Sequence, residues 1–225
     1  MTVLHDKRFP GENEDYRTAR NALLREELAL DEQVQKVAQL RRALPAGGKI
    51  QQDYVFEEVQ PDHGKSVHMS DLFAPGKDTL FLYSFMYGPD SEAVCPSCTS
   101  LVDGFSGVSH HLKDRINMAV IAKAPVEKLQ KLANSRNWSG IRLLSSFGNS
   151  YNEDYFAVGA SGGQIPAANI FTKGDDGIRH FWSAELLYVS RPGHPHHVDQ
   201  IWPIWNILDL TPDGRGSDWE PRLVY

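Results

Sequence analysis

Thr79–Phe85 reads TLFLYSF, and after a short loop Cys95-Pro96-Ser97-Cys98 opens a stretch with Leu101, Val102, Phe105, Val108 and Leu112 at helical spacing. The first run is short and almost wholly apolar, as a buried strand requires. A second run, Asn117–Ala122 (NMAVIA), is another such strand. The cysteine pair therefore stands where a strand turns into the helix of a βαβ unit. That placement says more than the C-x-x-C pattern. A cysteine at a helix N-terminus faces unpaired N–H groups and the positive end of the dipole, and both favour thiolate over thiol. The thiolate is the nucleophile, so Cys95 is the residue expected to attack a disulfide. Cys98 lies one turn along the same helix face, where it can close an intramolecular disulfide and release the product. Pro96 fixes φ near the helical value, and Ser97 is small and can donate to a sulfur. Asp90 and Glu92 lie just upstream. Near Cys95 they would oppose the thiolate.

Working outward, Pro125 opens a helix through Asn137, Ile141–Ser145 is a third strand, and Ala167–Thr172 and Ile178–Trp182 flank a turn at Lys173–Gly177. A last helix covers Val198–Leu208, bent or restarted at Pro203. The order βαβα, then a β-hairpin and a helix, predicts an α/β domain: a mixed central sheet with helices on both faces. Ahead of it, Asp53–Leu72 reads as a short hairpin turning at Pro61–Gly64. Earlier still, Tyr16, Leu23, Leu30, Val37 and Leu44 recur every seven residues along Asn13–Leu44. They mark one face of a long helix, either unbroken or interrupted near Asp31. Asn13 is its N-cap; acids gather at its start, bases at its end, and Pro45 stops it. Two readings of that face stand: it packs on its own domain, or it pairs with a second copy as a dimerisation arm. Thr211–Tyr225 is a polar tail, anchored at Trp219. The segments are thus a helical arm at 1–48, the hairpin at 49–76, the core domain at 77–210 and the tail at 211–225.

The chain of 225 residues carries 23 Lys+Arg against 29 Asp+Glu, a net charge of -6, which speaks against a nucleic-acid partner. With 41% hydrophobic residues it can bury a core. No apolar run is long enough to span a membrane. Met1–Asn13 has no apolar core of a secretory signal, so a cytoplasmic location is expected. Two cysteines are no disulfide framework, and zinc lacks a second Cys pair; His110 and His111 are out of the usual spacing. They end the Cys95 helix, where a capping role is the simpler account. His194, His196 and His197 cluster near Asp199; a polar loop explains them more simply than a metal site. The aromatic residues Phe181, Trp182, Tyr188, Trp202 and Trp205 line a groove or, more simply, fill a core. Ser145, Ser146, Gly148 and Asn149 are scaffold. Gly159–Gly163 lacks the Lys-Ser/Thr of a phosphate loop, and no haem, flavin or nicotinamide fingerprint occurs. With no cofactor or metal expected, the chemistry falls to the two sulfurs alone.

The succession TLFLYSF, CPSC, NMAVIA, Gln164-Ile165-Pro166, AANIF and KGDDGI resembles the thioredoxin fold. That resemblance implies a cis peptide before Pro166, set against the dithiol, with the Ile165 backbone pairing with an extended substrate. Over nearly its whole length the chain is similar to the bacterial DUF899 family of predicted dithiol-disulfide oxidoreductases. The stretches RNALLREELAL, DYVFE, SFMYGPDSEAVCPSC, AKAPVEKL, SSFGNSYNEDY and WPIWNILDLTPDGRG carry the likeness. It implies a thioredoxin-like thiol-disulfide oxidoreductase acting on a disulfide-containing protein or a small thiol or disulfide, through Cys95 and Cys98, with Pro96, Ser97, Ile165 and Pro166 at the cleft. Two alternatives remain. One is a peroxiredoxin-like peroxide reductase using Cys95. The peroxidatic motif P-x-x-x-[TS]-x-x-C is not matched, since Pro89 stands six residues before Cys95 and Glu92 replaces the hydroxyl. The other is a non-enzymatic protein whose association responds to the redox state of the pair.

Overall fold

The computed structural model describes residues 4–61, 64–193 and 196–225. The chain divides into two compact units, Met1–Pro45 and Ala46–Tyr225. In the first, α1 (Glu14–Arg42) runs for 29 residues without a break at Asp31. Asn13 is extended and its Oδ1 accepts the Tyr16 N–H at 2.8 Å, closing the N-terminus. Glu12 grips Arg17 through both carboxylate oxygens. Tyr16, Leu23, Leu30 and Leu44 of the seven-residue face are all exposed.

The second unit is built on one sheet. Its strands are β1 (Val55–Glu58), β2 (Lys65–His68), β3 (Thr79–Ser84), β4 (Asn117–Ala122), β5 (Arg142–Ser145), β6 (Ala167–Gly174) and β7 (Gly177–Ser183). Its helices are α2 (Pro96–Arg115), α3 (Val126–Arg136), α4 (Tyr151–Asp154) and α5 (Pro203–Leu208). The strand order is β2-β1-β5-β4-β3-β6-β7. The three central strands are parallel, and β6, β7, β1 and β2 join antiparallel. The hairpin read at Asp53–Leu72 is therefore an edge of the same sheet. Backbone pairing of β1 to β5 is brief, Glu57 to Ser145 and Glu58 to Leu144. A two-pronged ion pair from Arg142 to Glu58, at 2.5 and 3.0 Å, reinforces it.

Alternation along β3 sorts the core into two layers. Phe81, Tyr83 and Phe85 face Leu101, Val102 and Phe105 of α2 and Leu129 and Ala133 of α3. Leu80 and Leu82 face the other way, onto Tyr54, Phe56, Met69, Tyr151 and Phe171. Both long helices thus lie on one face. The chain steps from β3 to β4 to β5 in one direction, and two right-handed crossovers taken in one direction put both helices on the same side. The expected helices on both faces reduce, on the second, to the single turns Met69–Leu72 and α4, packed with Tyr54 and with Phe56 of β1.

Several local details differ from the sequence reading. Pro125 is the N-cap of α3 and not its first residue. The last helix restarts at Pro203 after a separate turn at Asp199–Ile201. Helix α2 extends to Arg115, so His110 and His111 are not its end; Lys113 and Arg115 occupy the last turn. The turn between β6 and β7 is two residues, Asp175-Asp176, with Gly177 at φ 113 where a side chain would be strained.

Candidate active site

The end of β3 feeds a loop that is fixed before it reaches the cysteines. Lys128 of α3 donates Nζ to the carbonyls of Pro89 (2.5 Å) and Ser91 (3.1 Å), and the Gly88 N–H is taken by Ser91 Oγ at 3.1 Å. Cys95 is the N-cap of α2, with Pro96 in the first turn. Its sulfur accepts the Cys98 N–H at 3.2 Å. Thr99 ties the turn by donating Oγ1 to the Cys95 carbonyl at 2.8 Å. Both cysteines are free; Cys95 is half-buried and Cys98 buried. Pro96 is exposed and Ser97 half-buried, its backbone N–H near enough to the Cys95 sulfur to favour the thiolate.

The two thiols are driven apart electrically. The Cys95 pKa is lowered to about 7, chiefly because the Cys98 thiol donates to it, with the N–H groups of Cys98 and Ser97 adding and burial opposing. Cys98 is pushed well above its ordinary value by the same hydrogen bond and by burial. One thiol of lowered pKa and one of raised pKa result, side by side. Two groups beside Cys98 act in the opposite sense: the Tyr83 hydroxyl and the Met86 N–H lie close enough to its sulfur to favour the thiolate. Tyr83, on β3, is 1% exposed and packs edge-on against Phe105 at 5.7 Å. It was not legible as a functional residue in TLFLYSF. The available signal was a phenol in an otherwise apolar strand, since a buried hydroxyl needs a partner. Tyr83→Phe should slow closure of the Cys95–Cys98 disulfide several-fold, measured by rapid acid quench, and leave Cys95 alkylation nearly unchanged.

The carboxylate that bears on Cys95 is not in the preceding loop, where Asp90 and Glu92 are exposed. It is Glu220, from the tail, and it raises the thiol pKa. The tail reaches this place through Trp219, edge-on to Trp205 at 5.8 Å, and through the Leu223 carbonyl, which accepts Arg136 Nη1 at 3.0 Å. Trp202 continues the contact by donating Nε1 to Ser100 of α2 at 3.3 Å.

Pro166 lies at the same end of the sheet, because Ala167 pairs with Ser84 at the end of β3. The expected cis bond is absent: no peptide among the described residues is cis, so Ile165–Pro166 is trans. The trans form is the default even before proline. The Ile165 N–H is also committed, to the Ala157 carbonyl at 2.9 Å, and so is not open for a substrate strand. The Pro166 carbonyl meets His197 Nε2 at 3.2 Å. Between the loops that precede Cys95 and Pro166 lies a hollow of about 480 Å³, lined by Pro89, Ser91, Lys123, Gly163 and Gln164 among others. Of the histidine cluster, His194 lies outside the described residues. His196 meets Asp199 Oδ2 at 2.5 Å, so the described two turn to different partners. Among the described residues no group of three or more His, Cys, Asp or Glu could hold a metal ion, and no helix is long and apolar enough to cross a membrane.

A C-x-x-C pair at the N-terminus of the first crossover helix of a mixed sheet defines a protein of the thioredoxin-like fold. Solved structures agree. A cysteine-to-serine mutant of peroxiredoxin Q from Xanthomonas campestris superposes with a TM-score of 0.50 at 9% identity, over 73% of this chain and 99% of that one. A cysteine mutant of the Xylella fastidiosa PrxQ gives 0.50 at 10% identity, over 73% and 96%. No curated protein matches in sequence. The chain belongs to the DUF899 family, described as a bacterial protein of unknown function, whose family model matches residues 7–224.

Proposed function

We propose that the protein is a dithiol-disulfide oxidoreductase. The Cys95 thiolate attacks a substrate disulfide, forming a mixed disulfide and expelling one substrate thiolate. Cys98 then attacks the Cys95 sulfur, closes the intramolecular disulfide and expels the second thiolate, to which its proton passes. An external dithiol restores the reduced pair. The observation that carries this reading is the Cys95 sulfur at the α2 N-terminus, accepting the Cys98 N–H with the buried Cys98 thiol one turn along the helix. A reducing compartment such as the cytoplasm suits a pair that works from its free-thiol form.

The test is catalytic reduction of Ellman's disulfide with dithiothreitol as the electron source, beside hydrogen peroxide at equal concentration. Disulfide turnover above the uncatalysed rate is expected, with peroxide consumed more slowly. Faster peroxide turnover would move the assignment to a peroxide reductase. That arm is included because peroxiredoxin structures share the fold.

We also propose that the exposed face of α1 pairs with the same face of a second copy. Leu23 and Leu30 are 52% and 63% exposed on a seven-residue repeat, an apolar stripe suited to its own duplicate. Light scattering should give a dimer for the native chain and a monomer for Leu23→Glu with Leu30→Glu. A native monomer would remove the proposal.

A further inference from the structure

The face of the sheet turned away from the dithiol carries an open cavity of about 690 Å³ that the thiol chemistry does not use. Asn169 of β6 forms part of it; its neighbours Ala168 and Ile170 face the opposite way, into the layer that holds Cys98. The walls are flat rings. Tyr155 stacks on His180 at 5.7 Å and meets Tyr54 edge-on at 6.0 Å. At the rim Phe156 meets Tyr188 edge-on at 6.0 Å. Ring walls of this kind match flat, aromatic ligands.

One wall group is polar and incompletely satisfied. Asn169 is 1% exposed, and its Oδ1 lies 3.1 Å from His180 Nε2. Burial lowers the His180 pKa, so the ring is neutral at neutral pH and its Nε2–H donates to Oδ1. That leaves Asn169 Nδ2, which is fully buried and makes no hydrogen bond of proper geometry. The Tyr151 phenol, held up chiefly by burial, feels this amide but does not bond it in proper geometry. A buried N–H₂ without an acceptor is destabilising, and an incoming acceptor relieves it.

Phe156 points the same way. Its φ of 54 is a left-handed conformation that bulky side chains resist, and at 67% exposure core burial does not explain its retention. What it supplies is a ring at the mouth of the cavity. The charges exclude anions. Asp154 already accepts the Tyr54 hydroxyl at 2.8 Å and Ser150 Oγ at 2.7 Å, Glu185 adds a second carboxylate, and Lys49 is drawn to Asp176 at 3.5 Å.

We propose that this cavity binds a neutral, planar aromatic molecule whose carbonyl or ring-nitrogen acceptor takes the free N–H of Asn169. The site is independent of the redox assignment, and either can fail without the other. The probe is prodan, a neutral dimethylaminonaphthalene ketone, titrated into the full-length protein and read by its fluorescence. Saturable, blue-shifted enhancement is expected, with dimethylaminonaphthalene lacking the ketone binding about tenfold more weakly. Asn169→Asp, close in shape but without the donor, should lose the same factor. Phe156→Gly should weaken binding several-fold without lowering Tm, because glycine accepts the left-handed backbone. No saturable enhancement would overturn the proposal. So would equal affinity for the ketone and its ketone-free parent, a comparison that needs no variant to fold.

Discussion

Cys95→Ser is expected to abolish disulfide turnover, a loss of about a thousandfold or more, with the circular dichroism spectrum and Tm unchanged. A serine hydroxyl is not ionised where the thiol is, and the remaining thiol at the α2 N-terminus, Cys98, is buried away from an incoming disulfide. Cys98→Ser should fail differently. Cys95 still attacks, so one equivalent of thiolate is released from Ellman's disulfide and the reaction stops at the mixed disulfide. The same geometry sets a pH profile. Cys95 has its pKa lowered to about 7, so its thiolate fraction shrinks as pH falls below that value. Alkylation of the reduced protein, followed by mass spectrometry, should fall about tenfold per pH unit in that range and level off above it. Cys98, held protonated by Cys95 and by burial, should stay unmodified throughout. Both thiols reacting together, and only in alkali, would remove the activated nucleophile.

The largest effect on stability is expected from Phe105→Ala. Phe105 is 5% exposed and sits edge-on against Phe81 at 5.5 Å and Tyr83 at 5.7 Å, so it joins α2 to β3 below the dithiol. Removing the ring opens a cavity between these elements and should cost about 3–5 kcal/mol. For a unit of this size that lowers Tm by about 10 °C. Thermal unfolding followed by circular dichroism measures it, and Phe105→Leu should retain most of the loss. A drop of only a degree or two would show that α2 is not anchored through this ring.

Much of the fold was legible because the signals are local. The β3 and β4 runs are buried on both faces and so read as unbroken apolar stretches. Asn13, Pro45 and the seven-residue repeat announce α1 through capping and periodicity. Lys173–Gly177 announces a hairpin by turn chemistry. The edge position of β1 and β2 was not legible, because it depends on Glu58 meeting Arg142 across a long separation in sequence. Nor was it evident that α2 and α3 share a face, since the direction in which the crossovers step is a property of the whole sheet.

The candidate site divides in the same way. Cys95 and Cys98 follow from three-residue spacing and from a strand turning into a helix, which short-range geometry imposes on any chain with this sequence. By itself the sequence determined the two sulfurs, the helix end that activates one of them, and the fold family they belong to. The tertiary structure decided what surrounds them. Tyr83 lies under Cys98 because β3 and α2 pack face to face. Glu220 acts on Cys95 because Trp219 and Leu223 dock the tail near α2 and α3. Ile165–Pro166 is trans, with its N–H already bound to Ala157, whatever the motif implied. The second cavity exists only because Asn169, His180, Tyr54 and Tyr155 come from four separate segments. Electrostatic and hydrogen-bonding effects depend on separation in space, and only the folded chain sets those distances.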